Sequence, residues 1–244
     1  EIIMADNGST DPKMHELYAK FEQQLPGRFF VESIDIPFNF STINNRAAKK
    51  AHGEYLLFLN NDTEVITENW LTLMVSFAQQ ERIGCVGAKL LYPNNTVQHA
   101  GVILGLGGVA GHGHYGYPHG DLGYFGRLAI NVNYSAVTAA CLLMKKADFD
   151  AVGGFEEAFT VAFNDVDLCL KVQALGRDNV WLHEAELYHF ESQTRGYDDK
   201  GKKKKRFEQE KVMMEEKWGP LIENDPFYNP NLTRDIPNFS LRID

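Results

Sequence analysis

The sequence predicts an α/β fold, a mostly parallel central sheet flanked by helices, with a helical extension at its C-terminal end. Three observations carry the prediction. Short apolar runs alternate with stretches of helical period through residues 1–90, the pattern of successive strand–helix–strand units. One run, Tyr55-Leu56-Leu57-Phe58-Leu59, is apolar at every position, as a strand buried on both faces must be. Beyond Ser192 the character changes to a strongly charged helix and then a tail rich in proline and asparagine.

Taken in order, residues 2–5 read as a short buried strand, and residues 6–12 are turn chemistry leading into a helix. Asp11 suits its N-cap and Pro12 its first position, and Met14, Leu17, Tyr18, Phe21 and Leu25 follow the helical period. Residues 28–32 form a second strand. Ser41 is placed to cap a helix carrying Ile43, Ala47, Ala48 and Ala51, which Gly53 ends. After the strand at 55–59, Thr67 is placed to cap a helix with Trp70, Leu71, Met74 and Phe77, and residues 83–88 form the next strand. Residues 101–126 hold ten glycines and three histidines and read as a mobile loop. A buried strand at 136–144, a short helix stopped by Gly153-Gly154, and a helix from Asn164 to Leu175 ended by Gly176 follow. Two short strands are expected around Val180-Trp181-Leu182 and Leu187-Tyr188-His189. The organisation expected is one domain in two halves, 1–100 and 101–195, with an extension over 196–244.

Composition bounds the function. The 244 residues are 44% hydrophobic and 23% charged, ordinary values for a folded domain. A formal net charge of −9 argues against nucleic acid as partner, since phosphate binding favours a basic face. The three cysteines, Cys85, Cys141 and Cys169, lie inside apolar runs and read as reduced core thiols. No run approaches the roughly 20 apolar residues of a membrane-spanning helix, and the expected location is the cytoplasm. The chain begins inside an apolar strand, so polypeptide upstream of Glu1 is expected.

Five places could carry chemistry. Asn60-Asn61-Asp62 follows directly on the 55–59 strand, and ligands in open α/β sheets bind beyond the carboxyl ends of strands. Its hard oxygen donors suit Mg²⁺ or Mn²⁺ carrying substrate phosphates, although the same triplet would serve an Asx-rich turn. Asp6 ends the first strand, where it could accept from a base N–H or start a turn of its own. Asn164-Asp165-Val166-Asp167 opens a helix whose dipole keeps a carboxylate ionised, fit for a base or for simple capping. His189 alternates with apolar neighbours and could be a metal ligand or a core histidine. The basic run from Lys202 to Arg206 suits solvent, an anionic lipid surface or an acidic partner domain. Two other patterns are set aside. Gly105-Leu106-Gly107-Gly108-Val109-Ala110 has the outline of a dinucleotide fingerprint, but neither a following helix nor the acidic residue about 20 positions on is present. His99, His112, His114 and His119 outline a zinc site, but the loose glycine spacing fixes no geometry.

Taken together, Asp6-Asn7-Gly8-Ser9-Thr10-Asp11, the segment from Gly53 to Asp62, Gly153-Gly154-Phe155 and Asn164-Asp165-Val166-Asp167-Leu168 resemble family 2 glycosyltransferases of the GT-A (Rossmann-like) fold. Through Gln98-His99-Ala100-Gly101 and Ala185-Glu186-Leu187-Tyr188-His189 the chain resembles bacterial members that build rhamnose-containing or related surface polysaccharides. The resemblance covers residues 1 to about 195. It implies an inverting transfer from a nucleoside-diphosphate sugar, UDP- or dTDP-linked, to a hydroxyl of a growing glycan or lipid-linked acceptor. By the same resemblance Asp6 contacts the base, Arg46, Asn60 and Asn61 lie against the donor, Asp62 and His189 hold Mg²⁺ or Mn²⁺, and Asp165 is the catalytic base. The glycine-rich segment 101–126 is expected to recognise the acceptor and close as a lid.

The chain departs from the family in three ways. Asn60 stands where the family's metal motif begins with aspartate, Asn164 stands for the glutamate before the base, and the family's first strand is absent. A domain lacking that strand would have unpaired strand edges near its middle. The competing reading is a non-catalytic sugar-nucleotide- or glycan-binding module of a larger glycan-synthesising protein.

Overall fold

The computed structural model describes residues 1–190 and 201–243. Strand β1 (Ile2–Asp6) leads to helix α1 (Pro12–Gln24), where the Asp11 carboxylate accepts the Lys13 amide and Pro12 occupies a position that needs no donor. β2 (Phe29–Ser33) lies parallel to β1. Helix α2 (Phe40–Ala48) is capped by Asn39, which accepts from the Thr42 amide, rather than by Ser41. Ser41 donates instead to the Phe159 carbonyl at 2.6 Å and pins the helix to a distant loop. β3 (Tyr55–Leu59) and the short β4 (Thr63–Val65) follow. Thr67 does not cap α3 (Trp70–Ala78), because its hydroxyl donates to Glu184. β5 (Ile83–Leu91) is buried at all nine positions and forms the axis of the molecule. β6 (Val97–His99) turns back on it, and β7 (Val102–Leu104) pairs with β8 (Ala110–His112) in a hairpin. β9 (Val132–Tyr134), β10 (Cys141–Lys145), α4 (Lys146–Ala151), α5 (Asn164–Ala174), β11 (Asp178–His189) and α6 (Gly201–Glu223) complete the order.

The main sheet has seven strands, in the order β3-β10-β5-β11-β4, with β6 beside β5 and β9 beside β11. It is mixed, which corrects the mostly parallel expectation. β5 and β11 run parallel, but β10 enters between β3 and β5 antiparallel to both. A strand buried on both faces has the same apolar signature in either direction, so its sequence carries no sign of polarity. β11 also replaces the two short strands expected. It is continuous over twelve residues, with a register shift between Leu182 and Glu186.

β1 and β2 form a separate two-stranded sheet. Among the described residues β3 is therefore an edge of the larger sheet, with no ladder to β1. The Glu1 carboxylate bridges the two sheets, accepting from the amides of His52 and Gly53 just before β3.

The glycine-rich segment is not the mobile loop expected. Val102, Ile103, Leu104, Leu106 and Val109 are buried in the main core, and His114 is fully enclosed. The C-terminal segment covers them. Phe239 stacks on His114 at 4.2 Å between ring centroids, and Asp225 accepts from the Leu104 amide and the Ser135 hydroxyl. Met214, Ile222, Tyr228 and Leu232 join the same core. The expected boundary near residue 195 lies outside the described residues. Residues 201–243, expected as an appended extension, pack as part of the domain.

The glycines buy close approach here. Gly101 has φ +88°, and a Cβ added to it would overlap the Tyr134 ring. Gly101→Ala is expected to destabilise the protein by at least about 2 kcal/mol, through left-handed strain and overpacking together. Urea denaturation followed by tryptophan fluorescence measures it, and an unchanged midpoint would contradict this packing.

Candidate active site

The carboxyl ends of β3 and β11 lie side by side through β4, and this brings Asn60, Asp62 and His189 together. The Phe190 amide donates to the Asp62 carbonyl, and the Thr63 hydroxyl to the Asn60 carbonyl. The first bond is backbone to backbone and independent of side chains, while the second depends on the Thr63 hydroxyl. His189 Nε2 lies 3.1 Å from Asp62 Oδ1 and 3.2 Å from Asn60 Nδ2.

The tautomer of His189 follows from its other contacts. Gln98 Oε1 lies 2.7 Å from His189 Nδ1, while Gln98 Nε2 points at the His189 carbonyl at 3.5 Å. The amide thus accepts from Nδ1–H, which leaves Nε2 as the ring nitrogen that faces Asp62 and Asn60. This is the arrangement a ligating histidine needs. Asp62 and His189 also fit a shared cation by distance. Two adjacent ligands at 2.0–2.2 Å from one ion stand about 3 Å apart. Among the described residues no group of three His, Cys, Asp or Glu side chains could hold a metal, so Asp62 and His189 would be two ligands of a larger shell.

Asp165 is tied to the same place by a short backbone segment. Its Oδ2 accepts from the Ala139 amide at 3.1 Å, and the next carbonyl, Ala140, accepts from the Asn60 amide at 2.9 Å. The Thr138 amide donates to His99 Nε2 at 3.3 Å, and His99 adjoins Gln98 in β6. A closed circuit results: His189, Gln98, His99, the 138–140 segment, and then both Asp165 and Asn60. His99 is held neutral, its pKa pushed well below the ordinary value by burial first and then by His112 and His189. Its Nε2 accepts from Thr138, which leaves Nδ1–H to donate to His112 Nδ1 at 2.8 Å.

The other expected residues lie elsewhere. Asp6 ends β1 in the separate sheet, is buried, and its carboxylate accepts from the Ser9 amide, closing a turn. Arg46 is exposed on α2. It adds charge beside Glu157, whose pKa is lowered chiefly by the hydrogen bond from Asn45, with Lys49 and Arg46 contributing less. No bond among the described residues joins Asp6 or Arg46 to the Asp62–His189 group. Asn61 is exposed beside it. Asn164 is buried and donates to the Val161 carbonyl, a structural use of its amide. The histidines of the glycine-rich segment disperse: His114 packs under Phe239, and His119 bonds Glu186 at 2.8 Å. Gln98 and Thr138 are the site residues that residue-by-residue reading passes over, and His99 enters it only through the zinc outline, which the described residues do not form. The Gln98-His99 pair stood out only through the family resemblance.

Residues 1–151 match the model of the family described as glycosyl transferase family 2. The chain is 50% identical over 242 residues to protein y4gI of Sinorhizobium fredii (strain NBRC 101917 / NGR234), aligned over 99% of this chain and 26% of that protein. It is 40% identical over 245 residues to the O-antigen biosynthesis protein RfbC of Myxococcus xanthus, again over 99% of this chain but 18% of the relative. The chain therefore spans about a quarter or less of these relatives. A crystal structure of GalNAc-T7 with UDP, GalNAc and Mn²⁺ superposes with a TM-score of 0.69 at 13% identity, covering 94% of this chain and 46% of the other. That likeness establishes the GT-A fold, and with the family model matched over more than half its length, this chain belongs to glycosyl transferase family 2.

Proposed function

We propose that the chain transfers a sugar from a UDP- or dTDP-linked donor to a hydroxyl of a growing glycan or lipid-linked acceptor, with inversion at the anomeric carbon. The observation that supports this best is the Asp62–His189 pair, 3.1 Å apart, wired through residues 138–140 to the Asp165 carboxylate. Asp62 and His189 would hold Mg²⁺ or Mn²⁺, with Asn60 beside them. A divalent cation there supplies charge to neutralise the leaving diphosphate. Asp165 takes the proton of the acceptor hydroxyl as that oxygen bonds the anomeric carbon, and the nucleoside diphosphate departs with the bonding electron pair. On this reading residues 1–100 hold the donor, with Asp6 at the base and Arg46 and Asn61 toward the diphosphate, while residues 101–195 hold the acceptor. The Mn²⁺ and UDP of the GalNAc-T7 structure and the O-antigen role of RfbC point the same way. The lysines Lys204 and Lys205, exposed at the start of α6, would face an anionic membrane surface or a partner domain. Among the described residues no helix is long and apolar enough to cross a membrane.

The test is release of nucleoside diphosphate from a panel of UDP- and dTDP-hexoses with Mg²⁺ or Mn²⁺. Asn60, which removes one carboxylate from the metal motif, favours the alternative of a non-catalytic binding module. Calorimetry distinguishes them: metal-independent binding of sugar nucleotides with no turnover would support the module. A further expectation concerns Gln98. Gln98→Leu removes the acceptor that orients His189 and should weaken Mn²⁺ binding by about 10–100-fold. Titration of Mn²⁺ in the presence of UDP or dTDP reads this, and unchanged affinity would detach Gln98 from the site.

A further inference from the structure

Glu210 lies on α6, far in sequence from every residue of the candidate site, and is 2% exposed. Its Oε1 accepts from the Thr160 amide at 2.7 Å, the Thr160 hydroxyl at 2.7 Å and the Val161 amide at 3.1 Å. Its Oε2 accepts from the Ala162 amide at 3.0 Å. Three consecutive backbone donors converging on one carboxylate make an anion nest, and the nest is filled from within the chain. Such charge-assisted bonds are about twice as strong as neutral ones, so the turn at 160–162 is held firmly.

That turn leads straight into the catalytic helix. Phe163 follows it in the left-handed region at φ 61°, Asn164 closes back on Val161, and Asp165 stands in the first turn of α5. The other side of the turn is strapped to α2, where the Phe40 amide donates to the Thr160 carbonyl at 2.8 Å. A second anchor from α6 reaches the same helix. Asp167, fully buried, accepts from Trp218 Nε1 at 2.8 Å and pairs with Lys217 at 2.7 Å. α6 thus grips the start of α5 at two points, one before Asp165 and one after it.

We propose that Glu210 is a positioning residue for sugar transfer, fixing the aim of the Asp165 carboxylate through the 160–162 turn. α6 then belongs to the catalytic unit, although the family match ends at residue 151. The inference rests on Asp165 being the base. In Glu210→Gln the amide nitrogen would face a backbone N–H, and the nest loses both its charge and an acceptor. Using the full chain, the donor of the UDP- and dTDP-hexose panel that the wild type turns over, and Mn²⁺, kcat is expected to fall about 10–100-fold. The KM for that donor and the Kd for UDP or dTDP should stay within about twofold, since neither the Asp62–His189 pair nor Asp6 is touched. Amide exchange at residues 160–166 should quicken while the central strands stay protected. Trp218→Phe keeps an aromatic ring but removes the donor to Asp167 and part of the indole's volume, so it tests the second anchor should Glu210→Gln not fold. It should show a smaller drop with the same split. Glu215→Gln, on the exposed side of α6, is the control expected to match wild type. Wild-type kcat in Glu210→Gln with quickened exchange at 160–162 overturns the proposal, as does parallel loss of kcat and nucleotide binding in both variants. A wild type that binds nucleotide but turns over no donor overturns the transferase reading, and this inference with it.

Discussion

Asp165→Asn should lower sugar transfer by about 10²–10⁴-fold, the range expected when a positioned general base is removed, while UDP or dTDP binding with Mn²⁺ stays near wild type. The substitution is nearly isosteric. A carbonyl oxygen remains to accept from either the Ala139 or the Val166 amide, both of which bond the carboxylate now. The 138–140 segment therefore keeps its place, and with it the Asn60 contact. What disappears is the charge proposed to take the acceptor proton. Steady-state transfer beside calorimetry reads the two effects separately. A variant with full activity would remove Asp165 from the chemistry, and one that also lost nucleotide binding would make its role architectural.

Asp62→Asn is expected to have the second large effect. Asn60 and Asn61 are neutral, so Asp62 supplies the only carboxylate of the triplet. Losing several kcal/mol of charge stabilisation at a metal-assisted leaving group corresponds to about 10²–10³-fold in rate. Part of that loss should return as Mn²⁺ is raised, because His189 and the donor phosphates remain to bind it. The fold should persist, since the local backbone bonds run through the Asp62 carbonyl and the Phe190 amide rather than the carboxylate. Identical Mn²⁺ dependence in variant and wild type would place the metal elsewhere or nowhere.

Local features were legible in the sequence. The bounds of the strand at 55–59, the Asp11–Pro12 helix start and the Gly153-Gly154 stop each depend on a few neighbouring residues and stand where expected. That strand nonetheless lies at the sheet's edge, antiparallel to its neighbour, and is buried only at Leu56 and Phe58 rather than on both faces. Features set by distant partners were not. Nothing local tells β10 to insert antiparallel between β3 and β5, and the polar His183-Glu184 inside β11 imitates a turn. Glycine masked the order of residues 101–126, although Val102-Ile103-Leu104 carried an apolar signal. Their cover comes from Phe239 and Asp225, more than a hundred residues away. In the candidate site, Asn60, Asp62 and His189 converge because strand ends converge. Gln98, Thr138 and Glu210 act by hydrogen-bonding groups that come near only in the folded chain, and residue type alone gave no hint of them.

The segment 138–140 has a consequence for how such a protein can change. Thr138 takes its bearing from His99, Ala139 steadies the Asp165 carboxylate, and Ala140 fixes Asn60. On the proposed reading, proton removal and leaving-group stabilisation share one reference frame three residues long. Ala139 and Ala140 are buried, so a bulkier side chain at either would displace both functions together. On the same proposal, donor selectivity on the β1–β2 side has more freedom to drift, because among the described residues no strand ladder binds that side to this frame. Redesign of the donor should begin there, and leave the three residues untouched.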